Sequence, residues 1–360
     1  MSTTCPDRSK ATAANLTVTQ PDIETLREPL LDLWKRNLPG ASPERFDWLY
    51  ASGHSQAWLL EESGSGVIGS AGRISRRLAI AGNVAEAGVA IDLNVDEKKR
   101  SLGPALSLVR EVAASAEREG MPLIYAIPIR AAASVMKLAR YRQLGEMTSW
   151  TKLLRSEFKL SRVLRSPRAA RLAAPIVDTA MRLFDWARRT RLPVGITSEA
   201  VSEFDDRFDR LWRSVIGQWS VIGERTASFL SWRFLKCPAM KYQIFTLVNQ
   251  RTRDLAGYVI WSTINDSILI SDLLAVDPAS TTQLLAEFTR MVRRTTATAI
   301  RLSCFASADF YQALQSAGFS RRMDGLSVLV KTFDETTAAA VDPATDHHWY
   351  LTMADNDVDG

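Results

Sequence analysis

A short basic loop that contains a glycine is the stretch of this chain best suited to hold a phosphorylated ligand. Residues 88–95 have the composition of a strand and residues 106–119 that of a helix, so the loop between them leads from a strand into a helix start. The first N–H groups of a helix have no intrahelical partner, and the helix dipole adds partial positive charge at the same end. An anion can bind there. Gly103 lies in this loop, and because glycine has no Cβ it would let a ligand approach the backbone closely.

The loop has the spacing Arg-x-x-Gly-x-Ala. It resembles the acyl-CoA loop of the GNAT acyltransferase superfamily, whose pattern is Gln/Arg-x-x-Gly-x-Gly/Ala. In that family the loop binds the pyrophosphate of acetyl-CoA or another acyl-CoA, and the preceding strand offers a backbone N–H to the thioester carbonyl. Pro104 departs from the pattern because it has no N–H, although proline is accepted in a first helical turn. The resemblance assigns coenzyme contacts to Leu93, Val95, Arg100, Ser101, Leu102, Gly103 and Ala105.

Direct acyl transfer needs a base that takes the acceptor proton and an acid that protonates the leaving thiolate. Glu86 and Asp92 are the carboxylates of the strand before the loop. Because side chains alternate along a strand, these two even-numbered residues are expected on one face. If that face lines a cleft, burial would raise the pKa of either carboxylate and make it a candidate base. In the alternative interpretation Glu86 is a charge at a strand end and Asp92 is a turn-facing or paired aspartate.

The acid of the family does not carry over to this chain. GNAT enzymes often use a tyrosine four residues before a Gly-Phe pair, and the two corresponding positions hold Met136 and Leu314. Neither side chain can donate a proton. Tyr125 is a substitute by proximity, and the alternative is that it is an aromatic residue of the core.

No metal site is predicted. His347 and His348 are adjacent, and adjacent side chains of an extended chain point in opposite directions. His54 lies in a turn-like run before a strand, where a loop could form an acceptor site. The three cysteines are far apart and odd in number, which indicates neither a disulfide framework nor a zinc site.

The second half of the chain is a faint copy of the first. Residues 91–96 (Ile-Asp-Leu-Asn-Val-Asp) are echoed by residues 271–277 (Ser-Asp-Leu-Leu-Ala-Val-Asp), and both follow β-rich segments and precede a helix. The order of strands and helices in each half resembles the GNAT fold, and residues 310–319 resemble its late helix that ends in Gly-Phe. After Asp277 the second copy has neither the arginine nor the glycine of the loop, so its pyrophosphate site is expected to be degenerate.

The sequence therefore predicts an α/β protein of the α+β type, made of two GNAT-like domains. Each domain is expected to be a mixed, mainly antiparallel, twisted sheet flanked by helices. The predicted divisions are a flexible N-terminus at 1–15, a first domain with the acyl-CoA loop at 16–155, a basic helical connector at 156–196, a second, degenerate domain at 197–332 and an acidic tail at 333–360.

Charge is unevenly distributed along the chain. The net charge is +5, yet residues 152–191 alone hold eleven Lys or Arg against three acidic residues. A basic amphipathic helix can lie on an anionic membrane surface, and peripheral membrane contact through residues 156–191 is one interpretation. The other is a connector that packs between the domains and keeps its arginines in water. No nucleic-acid-binding motif accompanies the segment, so a nucleic-acid partner is not expected.

The first twenty residues are polar and no apolar run approaches 18 residues, so a cytoplasmic location is expected. As a whole the chain resembles tandem GNAT proteins of bacterial cell-surface polysaccharide functions. The resemblance implies an N- or O-acyltransferase that uses acetyl-CoA or another acyl-CoA on an amino sugar or polysaccharide precursor. Two alternatives stay open: acyl or aminoacyl transfer to a peptidoglycan precursor, and a non-catalytic binding protein in polysaccharide assembly.

Overall fold

The computed structural model describes residues 16–38, 41–187, 195–322, 325–342 and 349–356. His347 and His348 lie outside the described residues. The first half of the chain comprises β1 (Leu16–Thr19), α1 (Ile23–Asn37), α2 (Pro43–Phe46), β2 (Ser55–Glu62), β3 (Gly66–Ile80), β4 (Asn83–Val95), α3 (Leu102–Arg118), β5 (Leu123–Ala126), α4 (Arg130–Leu138) and β6 (Arg142–Leu153).

Two helices then connect the halves, α5 (Glu157–Val163) and α6 (Pro167–Ala187). The second half comprises β7 (Ile196–Val201), α7 (Asp206–Val215), β8 (Val221–Gly223), α8 (Ala227–Leu230), β9 (Gln243–Asn249), β10 (Leu255–Ile264), β11 (Ser267–Ala275), α9 (Pro278–Val292), β12 (Ala299–Cys304), α10 (Ala308–Ser316), β13 (Ser320–Arg321), β14 (Leu326–Thr332), α11 (Glu335–Ala340) and β15 (Trp349–Tyr350). No helix within these described ranges has the length and apolar content needed to cross a bilayer.

The strands of both halves join in one continuous sheet. Its order is β1-β2-β3-β4-β5-β14-β6-β12-β11-β10-β9-β7. The pairs β4–β5 and β11–β12 are parallel, whereas their neighbours in the sheet pair antiparallel. The predicted α/β class with a mixed, mainly antiparallel sheet is therefore confirmed.

The two halves exchange their last strands. β14, from the end of the second half, lies between β5 and β6, and β6 pairs in turn with β12 of the second half. Each half thus needs a strand of the other to complete its sheet. This interlocking fixes the relative position of the two halves through backbone hydrogen bonds.

The helices form where apolar residues recur at helical spacing. In α3 the buried Leu108, Val109 and Val112 fall on one face, which packs against β3 and β4. On the opposite side of the sheet, α1 begins at a cap in which Asp22 accepts a hydrogen bond from the Thr25 N–H at 2.8 Å. The β3–β4 part of the sheet therefore has one helix-covered core on each face.

An internal two-fold relation is visible where the halves meet. Among the described residues, each half has one π-helical turn, Asp47–Ala51 and Ser231–Leu235. Their tryptophans, Trp48 and Trp232, stack with ring centroids 5.2 Å apart. Each indole N–H donates to the backbone carbonyl of the other tryptophan, at 2.8 and 3.2 Å. The repeat expected from the sequence thus extends to the contact between the halves.

The C-terminal residues 349–356 are buried between the two halves. β15 pairs with β8, and β8 pairs with the end of β3. The Asp355 carboxylate accepts hydrogen bonds from Arg76 of the first half at 3.0 Å and from Arg225 of the second half at 2.5 and 2.9 Å. One buried carboxylate therefore links both halves to the C-terminal segment.

Candidate functional site

A gap opens between the parallel strands β4 and β5. They pair at only two positions, Gly88 with Ile124 and Val89 with Tyr125. β4 then continues to Val95 with no further pairing to β5. Its free edge over residues 90–95 has the hydrogen-bonding capacity of an unpaired strand. An extended ligand that carries amide groups can pair with such an edge.

A β-bulge changes the direction of one side chain in this stretch of β4. The register with β3 changes between Ser70 and Gly72, so Ala71 faces both Asp92 and Leu93. Asp92 has a left-handed φ of 51°, which few non-glycine residues adopt and which occurs often at functional sites. Bulges are common next to active sites, where they change the direction of a side chain.

The bulge places Glu86 and Asp92 differently from the sequence-based expectation. Ala90 packs into the core on the α3 side, whereas the Asp92 carboxylate reaches Arg45 and Tyr50 on the α1 side. The alternation that would have put both carboxylates on one face is interrupted between residues 90 and 92. The expected shared face is therefore not formed.

Asp92 lies beside the gap, held by two hydrogen bonds from the segment around α2. Arg45 Nη2 donates to Oδ1 and the Tyr50 hydroxyl donates to Oδ2, both at 2.7 Å. Only 7% of the Asp92 side chain is exposed. In the second half the corresponding Asp272 is held in the same manner, by Arg225 at 2.9 Å and Tyr258 at 2.7 Å. The aspartate with an arginine and a tyrosine is thus a repeated feature of the two halves.

The start of α3 is open at the end of β4. Ser101 is the N-cap residue, and its side chain makes no capping hydrogen bond. The N–H groups of Leu102 and Gly103 have no acceptor among the described residues. A Cβ built on Gly103 would meet no atom within 4 Å. Arg100 donates its Nε to the Val95 carbonyl at 3.1 Å, which holds the guanidinium across the corner.

The residues expected from the sequence to bind coenzyme are therefore adjacent in space. Arg100, Ser101, Leu102 and Gly103 are exposed at the corner, and Ala105 follows in the first turn of α3. Leu93 and Val95 lie on the free part of β4. The corner is not filled by side chains, and an anion can reach two backbone donors there.

The same corner of the second half is occupied by a carboxylate. Asp277 caps α9, and its Oδ1 accepts the Ser280 N–H at 2.6 Å. The next residue, Pro278, has no N–H. Asp309 joins Asp277 in the lining of a small cavity of about 210 Å³. The position that would hold an anion thus carries negative charge of its own.

The gap of the second half is occupied by the chain itself. β11 and β12 pair over four residues and then separate. Into this opening the C-terminal segment inserts: Leu351 forms a β-bridge with Phe305, and the Tyr350 hydroxyl donates to the Leu273 carbonyl. Thr352 donates to Asp272 at 2.6 Å. Of the two related gaps, the first-half gap is the one that the described C-terminal segment leaves open.

The remaining predicted catalytic residues lie away from the corner. Glu86 is exposed and lines a cleft of about 560 Å³ between the halves, together with His54 and Trp232. The His54 ring packs on Trp232 with centroids 4.9 Å apart. Tyr125 is fully buried, and its hydroxyl donates to the Asp355 carbonyl at 3.0 Å. Burial raises the pKa of the Tyr125 hydroxyl, and this geometry favours a structural role.

Four residues of the site were not found from the sequence. Arg45 and Tyr50 reach Asp92 from a distant segment, and no local pattern marks them. Ser70 and Asn94 are cross-strand partners on β3 and β4, and Ser70 Oγ and Asn94 Nδ2 are buried without a hydrogen-bond partner among the described residues. Asn94 carried a usable signal, because it is a polar residue between the apolar Leu93 and Val95 of this strand.

No family model matches the chain, and no curated protein matches it. Among solved structures, it is similar to a conserved protein of unknown function from Enterococcus faecalis V583, with a TM-score of 0.66 and 14% identity over 90% of this chain and 74% of that chain. A GCN5-related N-acetyltransferase from Anabaena variabilis gives a TM-score of 0.64 and 12% identity over 90% and 74%. A tandem GNAT protein from the clavulanic acid biosynthesis pathway gives 0.53 and 12% over 88% and 98%. The chain therefore has a tandem GNAT fold, with one GNAT-like domain in each half.

Proposed function

We propose that the protein is an acyl-CoA-dependent acyltransferase that binds its coenzyme in the first half. The observation that carries this proposal is the open start of α3, where the Leu102 and Gly103 N–H groups face an unfilled corner. A diphosphate would accept hydrogen bonds from these donors and gain from the helix dipole. The amide groups of a pantetheine arm would pair with the free edge of β4.

Asp92 is the carboxylate that we propose for proton transfer. It lies at the bulge, on the part of β4 that borders the gap. Glu86 is six residues away, which corresponds to about 20 Å along a strand. An acceptor amine or hydroxyl attacks the thioester carbonyl while Asp92 takes its proton. The new C–N or C–O bond forms, the C–S bond breaks, and the coenzyme leaves as a thiolate that is protonated from solvent.

The acceptor class follows from the sequence resemblance and is part of the proposal. An amino sugar or another polysaccharide precursor is the first candidate, and a peptidoglycan precursor is the second. A non-catalytic binding protein is the competing function. It is supported by the absence of a tyrosine at Met136 and Leu314 and by the occupied gap of the second half.

We expect Arg100→Ala to weaken acetyl-CoA binding by about 10- to 100-fold, since a hydrogen bond to a charged group contributes about 1.5–3 kcal/mol. Isothermal titration calorimetry measures the effect. Arg110→Ala, an exposed arginine further along α3, is the matched control and should bind as the wild type does. If both variants bind acetyl-CoA with equal affinity, Arg100 does not contribute to the coenzyme site. If the wild type binds no acyl-CoA, the acyltransferase proposal fails.

We expect Asp92→Asn to lower turnover by about 100-fold or more, the usual contribution of general acid–base catalysis. Acetyl-CoA affinity should stay within about twofold of the wild type, because the amide keeps the shape of the side chain. The assay follows release of the coenzyme thiol with a panel of amino sugars and peptidoglycan precursors. Glu86→Gln is the matched carboxylate-to-amide control and should retain turnover. If Glu86→Gln loses most of its turnover while Asp92→Asn keeps normal turnover, the general base is Glu86 in the cleft between the halves.

A further inference from the structure

The helical pair α5 and α6 carries most of the large apolar side chains that are exposed in the described part of this protein. Within the described part of the chain, fifteen large hydrophobic residues are exposed, and eight of them lie between residues 158 and 186. These eight are Phe158, Val163, Leu164, Leu172, Ile176, Leu183, Phe184 and Trp186. Such a concentration of exposed apolar area marks an interaction surface.

The orientation of α6 is the reverse of what packing in a globular protein requires. A surface helix normally buries its large apolar residues and exposes its small and polar ones. In α6 the residues turned inward are Ala170 and Ala174, which are buried. Leu172, Ile176 and Leu183 are 80%, 74% and 60% exposed. At about 100° per residue these three form one stripe, opposite the alanines.

Two acidic side chains of α6 form a hydrogen bond or ion pairs with other residues of the protein. Asp178 accepts the Ser156 N–H at 2.8 Å. Asp185 pairs with Lys152 at 2.8 Å and with Arg293 at 2.5 Å. These two carboxylates therefore add little negative potential to the outer surface of the helices.

The basic side chains, by contrast, face solvent. Five exposed cations form no ion pair with any residue in the described ranges: Lys159, Arg162, Arg165, Arg168 and Arg182. Arg171 pairs with Glu157, and that pair is exposed as well. The outer surface of α5 and α6 thus combines an apolar stripe with unpaired positive charge.

We propose that this surface binds an anionic lipid bilayer, with α6 lying in the plane of the interface. The apolar stripe would enter the boundary between headgroups and acyl chains, and the arginines would contact lipid phosphates. The positive charge of the surface together with its apolar stripe favours an anionic bilayer over two other partners. A second copy of the chain seated on the same face would bring like charges together, and a nucleic acid would leave the apolar stripe in water. The surface is independent of the coenzyme corner, so neither proposal depends on the other.

Vesicle flotation of the full chain tests the proposal. We expect the wild type to float with vesicles of phosphatidylcholine mixed with phosphatidylglycerol and to stay at the bottom with phosphatidylcholine alone. Raising the salt concentration should weaken the binding, because it screens the lipid charge. Arg168→Gln together with Arg182→Gln should weaken it by about 25-fold, since each basic residue near an anionic surface contributes about fivefold.

The apolar stripe is tested separately by the triple variant Leu172→Ser, Ile176→Ser and Leu183→Ser. We expect this variant to lose flotation while its circular dichroism and acetyl-CoA affinity stay as in the wild type, because the three side chains are exposed. Leu138→Ser, at an exposed leucine of α4, is the matched control and should float normally.

Three outcomes would overturn the proposal. The wild type could stay at the bottom with both kinds of vesicle, or the triple variant could float like the wild type. Sedimentation velocity could also show a dimer that only the triple variant lacks, which would assign the face to a second copy. Binding of acyl-CoA is unaffected in each case, so these failures are distinguishable from a failure of the proposed function.

Discussion

Gly103→Glu should abolish acetyl-CoA binding, with a loss of at least about 100-fold in affinity. The new side chain would occupy the open space above the start of α3, where nothing lies within 4 Å of the Cβ position. Its carboxylate would compete for the free N–H groups and repel a diphosphate. Two charge-assisted hydrogen bonds contribute about 3–6 kcal/mol together, which makes 100-fold the lower bound.

Loss of folding cannot account for this expected result. A glycine within a helix costs about 1 kcal/mol relative to better helix formers, and a carboxylate near a helix N-terminus is favourable. The free energy of unfolding should therefore stay constant or rise. Asp277 provides the natural precedent, because it already places a carboxylate at the start of α9.

Gly217→Glu is the matched control for Gly103→Glu. Gly217 is also exposed, has no atom within 4 Å of its Cβ position and does not need a positive φ. Calorimetry should give wild-type affinity for this variant. If Gly103→Glu and Gly217→Glu bind acetyl-CoA equally well, the corner is not the coenzyme site and the proposed function fails.

Asp355→Ala should lower the free energy of unfolding by about 3–5 kcal/mol, the usual cost of removing one partner of a buried ion pair. The Asp355 side chain is fully buried and accepts hydrogen bonds from Arg76 and Arg225. Arg225 keeps Asp272 as a partner, whereas Arg76 would lose its carboxylate. Urea denaturation measures the change. Glu111→Gln, which breaks the exposed Arg118–Glu111 pair, is the control and should cost no more than about 1 kcal/mol.

The pKa of Asp355 also leads us to expect a particular dependence of the free energy of unfolding on pH. Burial alone would raise the pKa of Asp355, but the positive charges of Arg225 and Arg76 outweigh it and hold the pKa below the ordinary value of 3.8. The unfolded chain therefore binds a proton more readily than the folded protein does. The stabilisation is present above pH 3.8 and is lost as the pH falls through the lower, folded-state pKa.

Free energies of unfolding measured across this acidic range test whether stability falls with falling pH. The wild type should lose stability more steeply with falling pH than Asp355→Ala does. Parallel curves for the two proteins would contradict the assignment of the buried charge to Asp355.

The sequence by itself determined the local features of this protein. Strand β4, the basic loop and helix α3 were predicted because their signals are short-range: an apolar strand, a glycine and a helix-forming run within about thirty residues. The repeat of the chain and its mixed α/β class followed from the same kind of pattern. The open corner could be predicted because helix starts always leave N–H groups without intrahelical partners.

Only the tertiary structure decided which distant segments meet. The position of β14 between β5 and β6 depends on strand pairing across about 200 residues, and no local periodicity encodes that choice. The bulge at Asp92 depends on the register between β3 and β4, which alternation along one strand does not reveal. Whether α6 shows its leucines or its alanines to solvent depends on what packs beneath it, because amphipathic patterning marks two faces and packing decides which one is buried.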